Sequence, residues 1–420
     1  MGMTITEKIL AKASGNSVVK AGDIVEANID VAMAHDGLGP IVFDAMRELG
    51  REIWDLDKVV VVIDHSAPPS ALMHADLVRN TLDFVRDYNV KHLYNMQGVA
   101  HQLLPENGFV SPAGVIVGTD SHTCTYGGLG AFSTGIGSTE MAAVFSTGKL
   151  WFRVPETIKV NVTGKLQEHV MAKDIILKTL SILGADGATY KALEFTGNCI
   201  EDLSVDGRLT LCNMAVETGA KNGIVACDEK TVEYLKGRVS TPYEPLYSDA
   251  DAEYCQVIEI DANELAPQVA CPHSPANVVD VDKVAGKVVD QVLIGTCTDG
   301  RMEDFRVAAA FLKGKKIPNH IRCLILPASN EIYRKLMEEG LIEIFLDAGC
   351  VILNANCGPC GGMHEGLIAK GEVCLGTHNR NFKGRMGNPE GEIYLSSPAV
   401  AAVSAIAGQI VNPQNERSVI

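Results

Sequence analysis

Nowhere does the chain carry an unbroken apolar run of the roughly 18 residues that a bilayer span needs, so no membrane helix is expected. Basic residues are scarce. The 36 Lys and Arg face 52 Asp and Glu, a formal net charge of −16. That balance argues against a nucleic-acid binder, whose affinity depends on cations that neutralise phosphates. It also repels an anionic substrate from any site without a local basic cluster. The start, MGMTITEKIL, has no basic stretch ahead of an apolar one. A secretory signal is therefore not expected, and the expected location is the cytoplasm. A Gly-x-Ser-x-Gly nucleophile elbow is missing, as are short repeats and low-complexity tracts.

Cysteine is plentiful, at 12 residues. A disulfide framework is not expected in a chain that is 46% hydrophobic and needs no staples. Cys323 in IRCLILP and Cys374 in EVCLG read as small buried apolar residues.

Short β-branched runs alternate with amphipathic stretches. KVVVVI (58–63), GVIV (114–117), QVLI (291–294), IRCLIL (321–326) and VIL (351–353) predict strands. Val78, Leu82 and Val85 predict a helix after Pro69; Phe305, Ala308, Ala309 and Leu312 predict another. The class is α/β, with mainly parallel sheets covered by helices. The text changes near Val154-Pro155, and the proline-rich stretch 266–282 reads as a linker. Three α/β/α domains are expected: 1–155, 156–277 and 278–420.

Four polar clusters follow strands directly. They are Asp64-His65, the run GTDSHT (118–123), GTCTDGR (295–301) and NANCGPC (354–360). In parallel sheets ligands bind beyond the carboxyl ends of strands, so four such clusters point to one composite site. Singly, each has a plainer explanation. Asp64-His65 suits a solvated turn, and Asp120 suits a helix N-cap. The run GGLGAFSTGIGSTE does not fit a dinucleotide fingerprint, because Glu140 stands where Gly or Ala belongs. Helix packing or a backbone anion nest suits it better.

Cys357 and Cys360 form a Cys-x-x-Cys pair. A thioredoxin-like redox pair, a zinc site and an iron–sulfur cluster all remain open. Cys297 lies in an equivalent loop after another strand, so two loops could join three thiolates. Three thiolates on a four-iron cluster leave one iron open to a substrate oxygen, as a Lewis acid. A fourth cysteine ligand, for which Cys350 and Cys374 are the nearby candidates, would instead indicate electron transfer. The stretch NRNFKGR (379–385) gathers three cations in an acidic chain, and its arginines suit bidentate carboxylate binding.

GTDSHT, GTCTDGR, NCGPCGG and NRNFKGR, in this order, resemble the aconitase superfamily. The length and the ending look like the large subunits of its 3-isopropylmalate dehydratase and homoaconitase group. The similarity extends from AHDGLGP at Ala34 to SSPAVAAVSAIAG. The resemblance implies a hydro-lyase with a [4Fe–4S] cluster held by Cys297, Cys357 and Cys360. It implies that Arg380 and Arg385 hold substrate carboxylates beside Asn379. His65, His101 and His122 would surround the departing hydroxyl, with Asp64 and Asp120 orienting them. Ser121 and Glu194 would line the iron site. It also implies a separate small subunit that supplies a base serine, and an isomerisation through an alkene. Isopropylmalate, homocitrate, citrate-like acids and dimethylmalate are the candidate substrates. A metal-responsive RNA binder, known among aconitase relatives, is disfavoured by the acidic charge. Two departures stand out: Asp299 where the family usually has Asn, and Tyr126 where His is common. An extra carboxylate at Asp299 would add negative charge near a cluster and lower its potential.

Overall fold

The computed structural model describes residues 2–415. The predicted strands and helices form, including helices Leu72–Asp87 and Met302–Leu312. The chain divides into two compact units. One runs up to Val162 and adds Ala188–Ile260; the other comprises Thr163–Gly187 and the chain from Asp261 onward.

After a helix at Ile5–Ser14, the first unit has the strands β1 (Ile24–Asn28), β2 (Val31–His35), β3 (Val59–Ile63), β4 (His92–Asn95), β5 (Val115–Gly118), β6 (Phe132–Gly135) and β7 (Lys149–Arg153). β1 and β7 form an antiparallel ribbon. The others make a parallel sheet in the order β4-β3-β2-β5-β6. Alternation along each strand sends side chains to opposite faces, and both faces are covered. Ala32, Ala34, Val59 and Val61 enter one core cluster, while Val31, Met33, Val60 and Val62 enter another.

A second sheet of this unit has the order β10-β9-β8-β11, from β8 (Thr157–Thr163), β9 (Ala192–Thr196), β10 (Asn222–Val225) and β11 (Gln256–Asp261). The glycine-rich run explains how it joins the first. A Cβ on Gly127 would lie 1.7 Å from the carbonyl oxygen of Gly223, and one on Gly128 would lie 2.8 Å from the Leu209 nitrogen. The glycines thus permit close backbone packing of the 3-10 helix Ser121–Leu129 against β10 and helix Val205–Asn213.

The second unit holds a sheet of seven strands in the order β13-β12-β18-β17-β14-β15-β16. These are β12 (Gln268–Ala270), β13 (Val278–Asp280), β14 (Gln291–Gly295), β15 (Arg322–Leu326), β16 (Val351–Ile352), β17 (Val373–Gly376) and β18 (Glu392–Ser396). The stretch 266–282 is therefore not a free linker, because β12 pairs with β13 and β18. Its strands have three residues each, too short for a periodic signal, and the ladder bonds of β12 to β13 on one side and β18 on the other define them.

Each large sheet has a parallel part whose strand order reverses once, β12 and β13 adding to the second antiparallel. In the first, β2, β3 and β4 progress one way and β5 returns to the far side of β2. In the second, β14, β15 and β16 progress one way and β17 returns to the far side of β14. Such reversals splay the loops beyond the carboxyl ends and open a place for ligands.

Candidate functional site

The reversal in the first unit carries a histidine–carboxylate set. β2 ends in His35-Asp36, β3 in Asp64-His65, and β5 in Thr119-Asp120. Asp36 accepts backbone N–H groups from Asp64, His65 and Ser66 at 2.7–3.0 Å, which ties the β3 loop to the β2 loop. Asp64 accepts the Ala100 N–H at 2.8 Å and, through its other oxygen, contacts His65 Nδ1 at 2.6 Å. Asp120 caps the 3-10 helix by accepting the His122 N–H at 2.7 Å, and the same oxygen lies 2.9 Å from His101 Nε2. Asp120 is thus both the N-cap and the partner of a neighbouring histidine. Ser121 opens that helix and is half-buried.

Two residues that the sequence did not single out, His35 and Glu217, join this set, and so does Tyr126. The ring of His35 stacks on His65, with centroids 4.1 Å apart, and its Nε2 lies 4.0 Å from Asp120. Glu217 places a buried carboxylate oxygen 2.8 Å from His122 Nε2. Tyr126, the departure from the family pattern, is buried and donates its hydroxyl to the Ala100 carbonyl at 3.3 Å, beneath His101. Glu194 belongs to neither histidine cluster. Its carboxylate accepts from Ser248 at 2.8 Å and Tyr254 at 3.0 Å.

Charge in this set is sharply divided. Burial alone would lower the His65 pKa, but Asp64, Asp36 and Asp120 raise it to about 10, so it is an imidazolium at neutral pH. Burial and the neighbouring His65 charge lower His35, which stays neutral. Burial opposes ionisation of Asp120, yet His101 and His122 hold it well below the ordinary carboxylate range. Burial pushes Glu194 upward.

The reversal in the second unit carries the cysteines. β14 leads into Cys297, β16 into Cys357 and Cys360, and β17 into Asn379 and Arg380. Gly295, at φ +133°, crosses so close to Leu326 that a Cβ would lie 2.0 Å from its carbonyl oxygen. The chain then turns at once into the short helix Thr296–Asp299. Arg301, fully buried, donates to the carbonyls of Thr298 at 2.8 Å and Cys297 at 2.9 Å, which fixes that turn. Asn379 donates to Cys297 Sγ at 3.4 Å and accepts from Cys360 Sγ at 3.3 Å, so one amide reaches two sulfurs. Gly362 lets the cysteine loop approach the Arg385 backbone, because a Cβ there would lie 2.4 Å from the Arg385 carbonyl oxygen. Arg380 and Arg385 are both half-buried.

The two candidate fourth ligands sit at the other edge of this sheet. Cys374 is level with Gln291, the first residue of β14, whereas Cys297 follows its last. At about 3.3 Å per residue the separation along the strand approaches ~20 Å. Cys350 precedes Val351, the first residue of β16, which pairs with Leu324 at the middle of β15. Three soft thiols, all free of disulfides, at the carboxyl edge and none level with them from Cys350 or Cys374 suit a cluster with one open iron.

Comparison with known proteins gives the family. The family model for the aconitase family (aconitate hydratase) matches residues 7–287 and 282–408. The chain belongs to the aconitase family, and so to a class of [4Fe–4S]-dependent hydro-lyases. It is 53% identical to the probable 3-isopropylmalate dehydratase large subunit of Methanothermobacter thermautotrophicus, over 98% of this chain and 99% of that one. It is 52% identical to 3-isopropylmalate dehydratase large subunit 1 of Methanopyrus kandleri, over 99% of each. The probable methanogen homoaconitase large subunit of M. thermautotrophicus is 46% identical, over 99% of this chain and 98% of that one. The crystal structure of Thermococcus kodakaraensis aconitase X shares the fold at a TM-score of 0.50 and 14% identity, covering 93% of this chain and 98% of that one. Among the described residues no helix is long and apolar enough to cross a membrane.

Proposed function

We propose that this chain is the cluster-bearing subunit of a cytoplasmic isomerase that interconverts 2- and 3-isopropylmalate by dehydration and rehydration. Segments 1–155, 156–277 and 278–420 are its proposed domains. The observation that carries the proposal is the common carboxyl edge of β14, β16 and β17, which bears three thiols together with Asn379 and Arg380. A [4Fe–4S] cluster held by Cys297, Cys357 and Cys360 supplies a Lewis acid for the leaving hydroxyl.

The remaining chemistry falls to side chains. Proton removal next to a carboxylate builds negative charge on it, and the role of stabilising that charge is assigned to Arg380 and Arg385. Imidazolium His65 donates a proton to the departing oxygen. Asp64 holds that ring through Nδ1, and Asp120 and Glu217 hold His101 and His122. The base that removes the carbon-bound proton is assigned to a serine of a separate small subunit, which also carries the specificity loop. The large-subunit names of the relatives support that partner.

Homoaconitase is the second reading, favoured by the 46% identical relative. The test is to assay the chain with candidate small subunits on 3-isopropylmalate, homocitrate and 2,3-dimethylmalate. Preferential turnover of 3-isopropylmalate supports the first reading, and preferential turnover of homocitrate overturns it.

A further inference from the structure

Lys173 lies on helix Ala172–Leu183, far in sequence from every motif of the site, and is fully buried. Its Nζ is 2.8 Å from Asp299 Oδ2 and 2.9 Å from the carbonyl oxygen of His378. It also donates to the carbonyl of Thr377. Asp299 ends the Cys297 turn, and residues 377–378 lead directly into Asn379 and Arg380. One ammonium, with three donors, is therefore fully used in joining the cysteine turn to the arginine loop.

We propose that Lys173 is a positioning residue for the anion-binding loop and that its pairing with Asp299 sets the charge beside the cluster. The proposal rests on the reading that Cys297 holds the cluster. A buried ammonium without a counter-charge is costly, and so is a buried carboxylate. With Asp299 opposite Lys173 the junction is neutral. The extra carboxylate expected from sequence to add bare negative charge is thus compensated. With Asn, the usual family residue, the junction would be cationic. Two nearby carboxyls share this environment. Burial, and then the Asp299 charge, push Asp304 upward, and burial with a smaller Asp299 contribution raises Asp174 to about 7.

The two roles separate experimentally in the full complex with its small subunit. Asp299→Asn leaves the ammonium unpaired and keeps its carbonyl contacts. The reduction potential should rise, with KM unchanged within about twofold. Lys173→Met removes the ammonium opposite Asp299 and its hydrogen bonds to the 377–378 carbonyls. The potential should fall and KM should rise about tenfold. The double variant should recover the wild-type potential while KM stays raised. A merely structural pair would move both potentials in one direction or neither. That result, with full iron content, overturns the proposal, and so does a D299N potential that does not rise if Lys173→Met fails to fold. A wild-type complex without iron would overturn the functional reading instead.

Discussion

His122 Nε2 and Glu217 Oε1 lie 2.8 Å apart, joining two segments 95 residues apart in sequence. Both side chains are buried, and Asp120 holds the opposite side of the same ring at 3.3 Å. His122 is thus clamped between two carboxylates. Glu217→Gln should lower kcat by about 10²-fold, the size seen when a histidine loses an orienting carboxylate. Glu194→Gln should leave kcat far closer to wild type, since its carboxylate accepts from Ser248 and Tyr254 and belongs to neither histidine cluster. Steady-state kinetics on both variants decide the assignment, and a larger loss in E194Q would reverse it.

His65 makes the pH dependence specific. Its folded pKa is raised from 6.5 to about 10, against the effect of burial, by Asp64, Asp36 and Asp120. The folded state therefore holds this proton more tightly than the unfolded chain. Its stabilisation is complete below the unfolded value and is lost as pH rises through about 10. Urea unfolding between pH 6 and 10 should show stability falling with pH in the wild type and a flatter profile in His65→Asn. The same variant should lose about 10²–10⁴-fold in kcat if the imidazolium is the proton donor.

The cysteines divide by the edge of the sheet they occupy. Cys357→Ser should abolish cluster binding and activity together. Cys374→Ala and Cys350→Ala should keep the full iron and sulfide content, because both residues sit at the amino edge of the strands. Loss of iron in either alanine variant would identify a fourth ligand.

Arg380→Lys should leave the cluster intact while kcat/KM falls about 10²-fold, because a point charge does not replace a planar fork that stabilises developing charge. Iron content measured beside the kinetics separates loss of chemistry from loss of structure.

Much of this was legible in the sequence. The strand runs KVVVVI, GVIV and QVLI carry enough β-branched residues to declare themselves, and the polar motifs follow them directly. The Cys-x-x-Cys pair and the arginine loop are local patterns of the same kind. Glu217 and Lys173 were hidden for a common reason. Each lies on a helix whose sequence gives no chemical signal, and each meets its partner only through tertiary packing across 95 and 126 residues. His35-Asp36 sits in a strand end that was used only to mark the start of the family similarity. Glu194 was named on the family resemblance alone, and in the fold its carboxylate accepts from Ser248 and Tyr254.

The central claim is a three-cysteine cluster with one exchangeable iron. The most direct measurement is EPR with iron and sulfide analysis on anaerobically purified protein, before and after mild oxidation. Conversion of an EPR-silent [4Fe–4S] form to a [3Fe–4S] signal, with release of one iron that ferrous iron restores, is the predicted result. A chain that binds no iron, or a cluster that keeps all its iron through oxidation because a fourth cysteine holds it, would contradict the account.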